Sequence, residues 1–284
     1  MDQLNRMNEA LKADIEVERL NLDPTKQTAS SFARLVLELR TPVARITLLN
    51  PPLNVIDLPM MEELARALSE IEQHPNVAII LLEGSDKAFS AGVDVGAHTR
   101  EKIDEMLDKF HGVIKTLVGS KKVTMAAIRG RCLGGGAELA LVCDLVYTAD
   151  SAQWGFPEIK LGCFPPVACT ALAAVIGQKA ASDLILTGRS INGKEAASLR
   201  LANQSVPEED LSTTVQEAIG HLAKLSPAAL AVTKKAMYAW DSTHFDKGLA
   251  RSEKIYREDL MQTADAHEGI RAFLEKRGPI WQGK

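Results

Sequence analysis

The sequence predicts an α/β fold with a parallel β-sheet, followed by a helical C-terminal region. Strand and helix patterns alternate between residues 32 and 150. Strands that alternate with helices pair in parallel through right-handed crossovers. After Pro165 the apolar residues recur mostly at helical spacing. These observations predict an α/β core over residues 32–203 and a helical region over residues 204–284.

Residues 1–31 form an extension with a different pattern, because they are polar and rich in charges of both signs. Helical spacing of its apolar residues predicts a short amphipathic helix: Leu4, Met7, Leu11 and Ile15. The polar stretch Asp23–Ser31 is typical of a linker. A frayed appendage is the alternative interpretation, since disorder concentrates at termini.

Alternating or branched apolar residues mark the predicted strands, which are Ala33–Arg40, Ala44–Leu49, Val77–Leu82, Thr124–Ile128 and Leu145–Ala149. Apolar residues at helical spacing mark the helices of the core, which are Met60–Gln73, about Thr99–Leu117 and Ala137–Cys143. The VAIILL strand is apolar throughout, as expected for a strand buried on both faces. The helical region is expected to be interrupted by stops at Gly177, Gly188, Gly193 and Pro227.

Composition excludes several classes of function. A net charge of −4 gives no basic surface for nucleic acid. No apolar run approaches the roughly 18 residues of a membrane span, and the N-terminus lacks the apolar segment of a secretory signal. The cysteines show no CxxC or Cys/His metal spacing, which favours reduced thiols in a cytoplasmic protein. The sequence therefore predicts a small-molecule partner, with no nucleic acid and no membrane.

Two glycine-containing loops follow apolar strands and precede helices. The first covers Gly84–Asp94 and the second Gly130–Glu138. Ligands of open α/β sheets bind beyond the carboxyl ends of the strands. Glycines at a helix start let backbone N–H groups approach a ligand closely. Two such loops side by side can offer two N–H donors to one developing oxyanion.

Two glutamates accompany these loops. Glu138 follows the glycine run in the first turn of a helix, and Glu158 lies in a Pro-Glu turn after the next strand. A pair of carboxyl groups with different pKa values can act as general acid and general base around one water molecule. The alternative for either residue alone is a helix cap or a solvated surface charge.

Other interpretations of the loops have weaker support. A phosphate site is disfavoured because neither GxGxxG nor GxxxxGK[ST] is present. Ser90 resembles the serine of a nucleophile elbow, but Ala88 stands where that motif needs glycine. A glycine run can also serve only for close packing.

Three segments resemble the signature blocks of the enoyl-CoA hydratase/isomerase (crotonase) family. They are KAFSAGVDV (Lys87–Val95), GGGAELALVCDLVYTAD (Gly134–Asp150) and QWGFPEIKLG (Gln153–Gly162). The resemblance covers about Phe32–Lys284 and leaves residues 1–31 outside it. It implies a crotonase-like spiral core of ββα units.

The resemblance also implies roles for individual residues. The backbone N–H groups of Val93 and Gly135 match the oxyanion hole for the thioester carbonyl. Glu138 and Glu158 match the two catalytic glutamates of hydratases, with Glu158 as the proton donor to carbon. Many isomerases of the family keep only the second glutamate. Because both are present here, we expect hydration or its reverse, with double-bond isomerisation as the alternative.

Further expectations follow from the same resemblance. Residues expected to contact the acyl-CoA substrate are Lys87, Ala88, Ala91, Asp94, Gly134, Phe164 and Pro166. No metal or redox cofactor is expected, because the thioester itself makes the chemistry possible. The helical region 204–284 is expected to assemble the chain into a homotrimer or homohexamer. A non-enzymatic scaffold on the same fold is disfavoured by the intact glutamate pair.

One segment departs from the family pattern. Hydratases usually continue after the Pro-Glu turn with a segment like PGxGGTQRL, whereas this chain has Phe164–Leu172, FPPVACTAL. Proline and larger apolar residues in place of glycines predict a rigid pocket wall. Together with NPPLNVID, this segment resembles hydratases that act on cyclohexa-1,5-diene-1-carbonyl-CoA in anaerobic aromatic degradation. A linear short-chain enoyl-CoA is the alternative substrate.

Overall fold

The computed structural model describes residues 32–238 and 242–283. The predicted N-terminal helix and linker in residues 1–31 lie outside the described residues. Within the described ranges, no helix is long and apolar enough to cross a membrane.

A six-stranded sheet forms the centre of the fold, in the order β1-β2-β3-β5-β7-β10. Its strands are β1 (Leu35–Arg40), β2 (Val43–Leu48), β3 (Ile79–Glu83), β5 (Val123–Ile128), β7 (Leu145–Ala149) and β10 (Gln204–Val206). β1 and β2 form an antiparallel hairpin, and every later pair is parallel. The predicted parallel sheet is therefore confirmed. β3 and β5 are buried along almost their whole length, as their mostly apolar sequences predict.

Two long helices cover this sheet. α1 (Leu58–Glu72) is capped by Asp57, whose side chain accepts a hydrogen bond from Met60 N–H at the helix N-terminus. α2 (Ile103–Gly119) buries an apolar face that includes Phe110 and packs against α1. Both predicted helices are confirmed, with boundaries shifted by a few residues.

A second, four-stranded sheet was not predicted. It has the order β4-β6-β8-β9, with strands β4 (Ala88–Ser90), β6 (Arg131–Leu133), β8 (Gln153–Gly155) and β9 (Ser190–Asn192). Each strand has three residues, which is too short to show a period-2 pattern in sequence. Each of the first three strands follows a strand of the large sheet, and helical structure comes after it, so the chain repeats a ββα unit. The expected crotonase-like core is confirmed.

The rest of the chain is mainly helical, as predicted. Its helices are α3 (Gly135–Leu141), α4 (Pro166–Ile176), α5 (Gln178–Thr187), α6 (Gly193–Ser198), α7 (Leu211–Ala223), α8 (Pro227–Tyr238), α9 (Ser242–Glu258) and α10 (Ala264–Leu274). Gly177 and Gly188 end helices with φ values of 82° and 60°, which favour glycine. The prediction for Gly193 and Pro227 was wrong, because both begin helices. The boundary at residue 203 stays a prediction; β10 lies just beyond it and pairs with β7.

Candidate active site

The candidate site lies at one end of the four-stranded sheet. β4, β6 and β8 are adjacent and parallel, so the segments that follow them emerge at the same edge. β4 leads to Ala91–Val93, β6 leads to Gly134 and Gly135, and β8 leads to Glu158. The two predicted loops and the Pro-Glu turn are thereby brought together.

Val93 and Gly135, the predicted oxyanion-hole residues, lie in contact. A Cβ atom on Gly135 would stand 2.6 Å from Val93 Cγ2 and 3.4 Å from Val93 N, so this approach requires glycine. Gly135 is the first residue of α3, and the N–H groups of a first helical turn have no partner within the helix. Gly134 has a φ of 51° and donates its N–H to the Gly155 carbonyl at 2.9 Å, which fixes the turn.

Glu138 is held by the start of another helix. It is 3% exposed, and its Oε1 accepts hydrogen bonds from Val167 N–H at 2.9 Å and Ala168 N–H at 3.0 Å. Both donors belong to the first turn of α4, where backbone N–H groups favour a negative charge. The sequence interpretation placed Glu138 at the N-terminus of its own helix. The structure adds a second helix N-terminus, which stabilises its carboxylate form.

Glu158 reaches the same cavity from the short 3-10 helix Pro157–Leu161. A Cβ atom on Gly134 would stand 2.5 Å from Glu158 Oε1, so the glycine leaves room for this carboxyl group. Its other oxygen, Oε2, is buried without a hydrogen-bond partner within residues 32–238 and 242–283. Glu158 therefore has an oxygen free for a ligand or for the proton of a carboxylic acid.

Burial perturbs both carboxyl groups. It raises the pKa of Glu138 from 4.5 to about 7, against the lowering effect of the Ala168 and Val167 N–H groups. Burial, and then the negative charge of Glu138, raises the pKa of Glu158 from 4.5 to about 8. Two close carboxyl groups titrate as a pair, and near neutral pH one proton is shared between them. One group can then accept a proton from water while the other donates one.

A small cavity of about 80 Å³ joins these groups. The predicted site residues in its wall are Ala91, Val93, Gly134, Gly135, Glu138, Glu158, Phe164 and Pro166. Lys87, Ala88 and Asp94 are not brought into that wall. Lys87 is exposed, Ala88 is buried within β4, and the Asp94 side chain accepts from Gly96 N–H instead. Their contact with the CoA moiety stays a prediction.

A larger cavity of about 650 Å³ lies elsewhere and carries no part of this chemistry. Its wall includes Val142, Cys169 and Arg251, but neither of the two glutamates and neither oxyanion-hole residue. The smaller cavity is the candidate active site because the buried acid–base pair and the paired loops converge there. Among the described residues, no cluster of three or more potential metal ligands occurs.

Sequence reasoning missed three polar residues of the cavity wall: His98, His111 and Tyr256. His111 lies on α2 and Tyr256 on α9, which are separated by more than a hundred positions in the chain. Neither belongs to a motif, and only the packing of α9 against α2 brings them to the site. In the sequence, His111 next to Phe110 on a helix could not be distinguished from an ordinary core residue.

Comparisons with known proteins agree with this geometry. The family model for enoyl-CoA hydratase/isomerase matches residues 38–284. The chain belongs to the enoyl-CoA hydratase/isomerase family. Cyclohexa-1,5-dienecarbonyl-CoA hydratase from Thauera aromatica is 34% identical over 256 residues, covering 90% of this chain and 99% of that protein.

Solved structures of the family share the fold. An enoyl-CoA hydratase from Mycobacterium avium subsp. paratuberculosis is 25% identical with a TM-score of 0.80, covering 89% of this chain and all of that one. An enoyl-CoA hydratase from Bacillus anthracis is 30% identical with a TM-score of 0.71, covering 88% of this chain and all of that one. The protein is thus a crotonase-fold enzyme of the enoyl-CoA hydratase type, a hydro-lyase. The alternative of a non-enzymatic scaffold was wrong.

Proposed function

We propose that this hydratase adds water to cyclohexa-1,5-diene-1-carbonyl-CoA, in 1,4 fashion across the conjugated diene. The observation that carries the chemistry is the buried pair Glu138 and Glu158 in one cavity with Val93 and Gly135. The relative from Thauera aromatica supports the choice of acyl group, because its alignment spans nearly its whole length.

The state of each glutamate supports a division of roles. Glu138 accepts hydrogen bonds from two backbone N–H groups, and these bonds favour its ionised form. Glu138 is therefore the base that takes a proton from water. Burial and the charge of Glu138 raise the pKa of Glu158, and its Oε2 has no hydrogen-bond partner among the described residues, so it is the acid that donates a proton to carbon. As the C–O bond forms, charge moves onto the thioester oxygen, where the Val93 and Gly135 N–H groups stabilise it. One such donor contributes about 3 kcal/mol to transition-state stability.

The cavity wall supports a compact, flat acyl group. Phe164, Pro165 and Pro166 follow one another in the wall, and both prolines restrict the backbone there. The Phe164 ring packs against Tyr256 with ring centroids 5.0 Å apart, which fixes its position. A rigid aromatic and proline surface suits a six-membered ring better than a flexible chain.

A linear short-chain enoyl-CoA is the second candidate substrate, favoured by the structural match to two enzymes named only as enoyl-CoA hydratases. The test is a side-by-side measurement of kcat/KM for the cyclic dienoyl-CoA and for crotonyl-CoA. We expect the cyclic substrate to be preferred. A value for crotonyl-CoA that is about tenfold higher, equal to about 1.4 kcal/mol, would contradict the ring assignment and leave hydration standing.

We further propose a homotrimer or homohexamer that works in the cytoplasm without a cofactor. Large apolar side chains of the C-terminal half are exposed in the single chain, including Leu186 at 69%, Val232 at 67% and Met237 at 63%. Such exposure is typical of a surface that a further subunit covers. The four cysteines are free thiols, as in a reducing compartment. Light scattering at micromolar concentration should give a trimer or hexamer, and a monomer would contradict the proposal.

A further inference from the structure

The small cavity that holds Glu138 and Glu158 also contains two buried polar atoms that the proposed mechanism does not use. His111 Nε2 and Tyr256 Oη both lack a hydrogen-bond partner among the residues that the structure describes. Each residue is 1% exposed and belongs to the cavity wall together with Glu158. Unpaired buried polar atoms are rare in proteins because each carries a desolvation penalty. Two of them in one small cavity indicate a ligand that pairs with both.

The histidine is oriented by its other ring nitrogen. His111 Nδ1 lies 2.7 Å from Glu253 Oε1, and this hydrogen bond is the main cause that lowers the pKa of Glu253. An ionised carboxylate can only accept, so Nδ1 carries the proton. In the neutral imidazole, Nε2 is then a hydrogen-bond acceptor. With a neutral His111, the Glu253 contact therefore presents an acceptor to the cavity.

The tyrosine is fixed in a similar way and supplies the complementary donor. Its ring packs on Phe164, and the next residue, Arg257, pairs with Asp104 at 2.9 Å and Asp108 at 2.5 Å. These exposed ion pairs join α9 to α2. The Tyr256 O–H is directed at the sulfur of Cys163, and this contact opposes the rise that burial causes in the pKa of the Cys163 thiol. Sulfur is a weak acceptor, and the thiol itself donates to the Leu161 carbonyl at 3.6 Å. An oxygen atom of a ligand is a stronger acceptor than this sulfur, so the phenolic O–H can donate to the ligand instead.

We propose that His111 and Tyr256 form a polar subsite that binds a hydroxyl group of the acyl moiety, a refinement that rests on the proposed function. A hydroxyl donates to His111 Nε2 and accepts from Tyr256 O–H at the same time, so it satisfies both atoms. A hydrocarbon satisfies neither, and a carbonyl oxygen can pair only with the tyrosine. In the proposed mechanism, Glu138 and Glu158 already contact the oxygen atom that becomes bonded to the β-carbon. The subsite therefore selects acyl-CoA thioesters whose ring carries a hydroxyl beyond the β-carbon.

The subsite also tolerates an unsubstituted ring. A water molecule can donate to one atom and accept from the other, as the hydroxyl does, at a small entropic cost. The hydroxylated ring replaces that water and binds more tightly. The subsite is thus a determinant of preference among ring thioesters rather than a requirement for hydration.

Binding of unreactive saturated thioesters tests the subsite without turnover. Isothermal titration calorimetry would compare cyclohexanecarbonyl-CoA with its 3-hydroxy and 4-hydroxy derivatives, none of which can lose water toward the thioester. We expect one hydroxylated thioester to bind wild-type protein about tenfold more tightly, because its hydroxyl releases the immobilised water molecule. Tyr256→Phe and His111→Asn should each reduce that preference to within about twofold. Tyr147→Phe, a tyrosine outside the cavity wall, is the matched control and should keep it.

Equal affinity of wild-type protein for all three thioesters would overturn the inference. A preference that survives Tyr256→Phe would overturn it as well, and this variant removes a single oxygen atom without changing the packing of the ring. Because no turnover is measured, these outcomes are separate from failure of the hydration assay, which would count against the proposed function instead.

Discussion

Replacing Glu158 with glutamine removes the proposed proton donor and little else. The two side chains have the same shape, and Glu158 Oε2 has no hydrogen-bond partner among the described residues that the substitution could break. Positioned general acids contribute about 10²–10⁴-fold to rate, so we expect kcat for hydration to fall by that factor. The dissociation constant for an acyl-CoA should change by less than about threefold, because the interaction lost is one made in the transition state.

The assay follows the loss of ultraviolet absorbance of the conjugated thioester at saturating substrate. Glu217→Gln, at an exposed position on α7, is the matched control and should retain wild-type kcat. Circular dichroism would verify that both variants fold. A Glu158→Gln enzyme with kcat within about twofold of wild type would refute the assignment of the proton donor.

Four further outcomes follow from the same geometry. Glu138→Gln should lower hydration by about 100-fold or more, measured by the same assay, while any double-bond isomerase activity would survive it. Gly135→Ala should lower kcat by about 100-fold, because the added Cβ stands 2.6 Å from Val93 Cγ2 and disturbs the oxyanion hole. Gly112→Ala, where an added Cβ meets nothing within 4 Å, is its control and should keep full activity. In a pH–rate profile, kcat should decline as Glu158 loses its proton near its pKa of about 8. The folded protein binds the Glu158 proton more tightly than the unfolded chain does, because the pKa of Glu158 is raised from 4.5 to about 8. The contribution of Glu158 to the free energy of unfolding should therefore be fully present below pH 4.5 and lost as pH rises toward about 8. Thermal unfolding at several pH values would show this loss, and Glu158→Gln should reduce it.

Elements with a strong local pattern were predictable from sequence. β3 and β5 consist mostly of apolar residues, and α1 and α2 have apolar faces several turns long. The two loops were identifiable because glycine at a helix start has a specific physical use, and Gly135 shows it in its contact with Val93. Glu138 and Glu158 could be paired because successive crossovers deliver them to one sheet edge.

The missed features depend on contacts between distant parts of the chain. β4, β6, β8 and β9 have three residues each, and only their mutual pairing makes them strands. The hydrogen bonds from α4 to Glu138 join positions about 30 apart in the chain. His111 and Glu253 are 142 positions apart, so no local spacing could reveal them as a pair. The short strands, the hydrogen bonds to Glu138 and the His111–Glu253 contact all form through tertiary packing, which local patterns in a single sequence do not reveal.

Mass spectrometry in ¹⁸O-labelled water tests most directly whether the buried glutamates add water to a conjugated thioester. Wild-type protein incubated with the cyclic dienoyl-CoA should give a CoA thioester that has gained one labelled water molecule. The Glu138→Gln and Glu158→Gln variants should give almost none. A product of unchanged mass would contradict hydration and indicate isomerisation, and label found only in a free acid would indicate thioester hydrolysis.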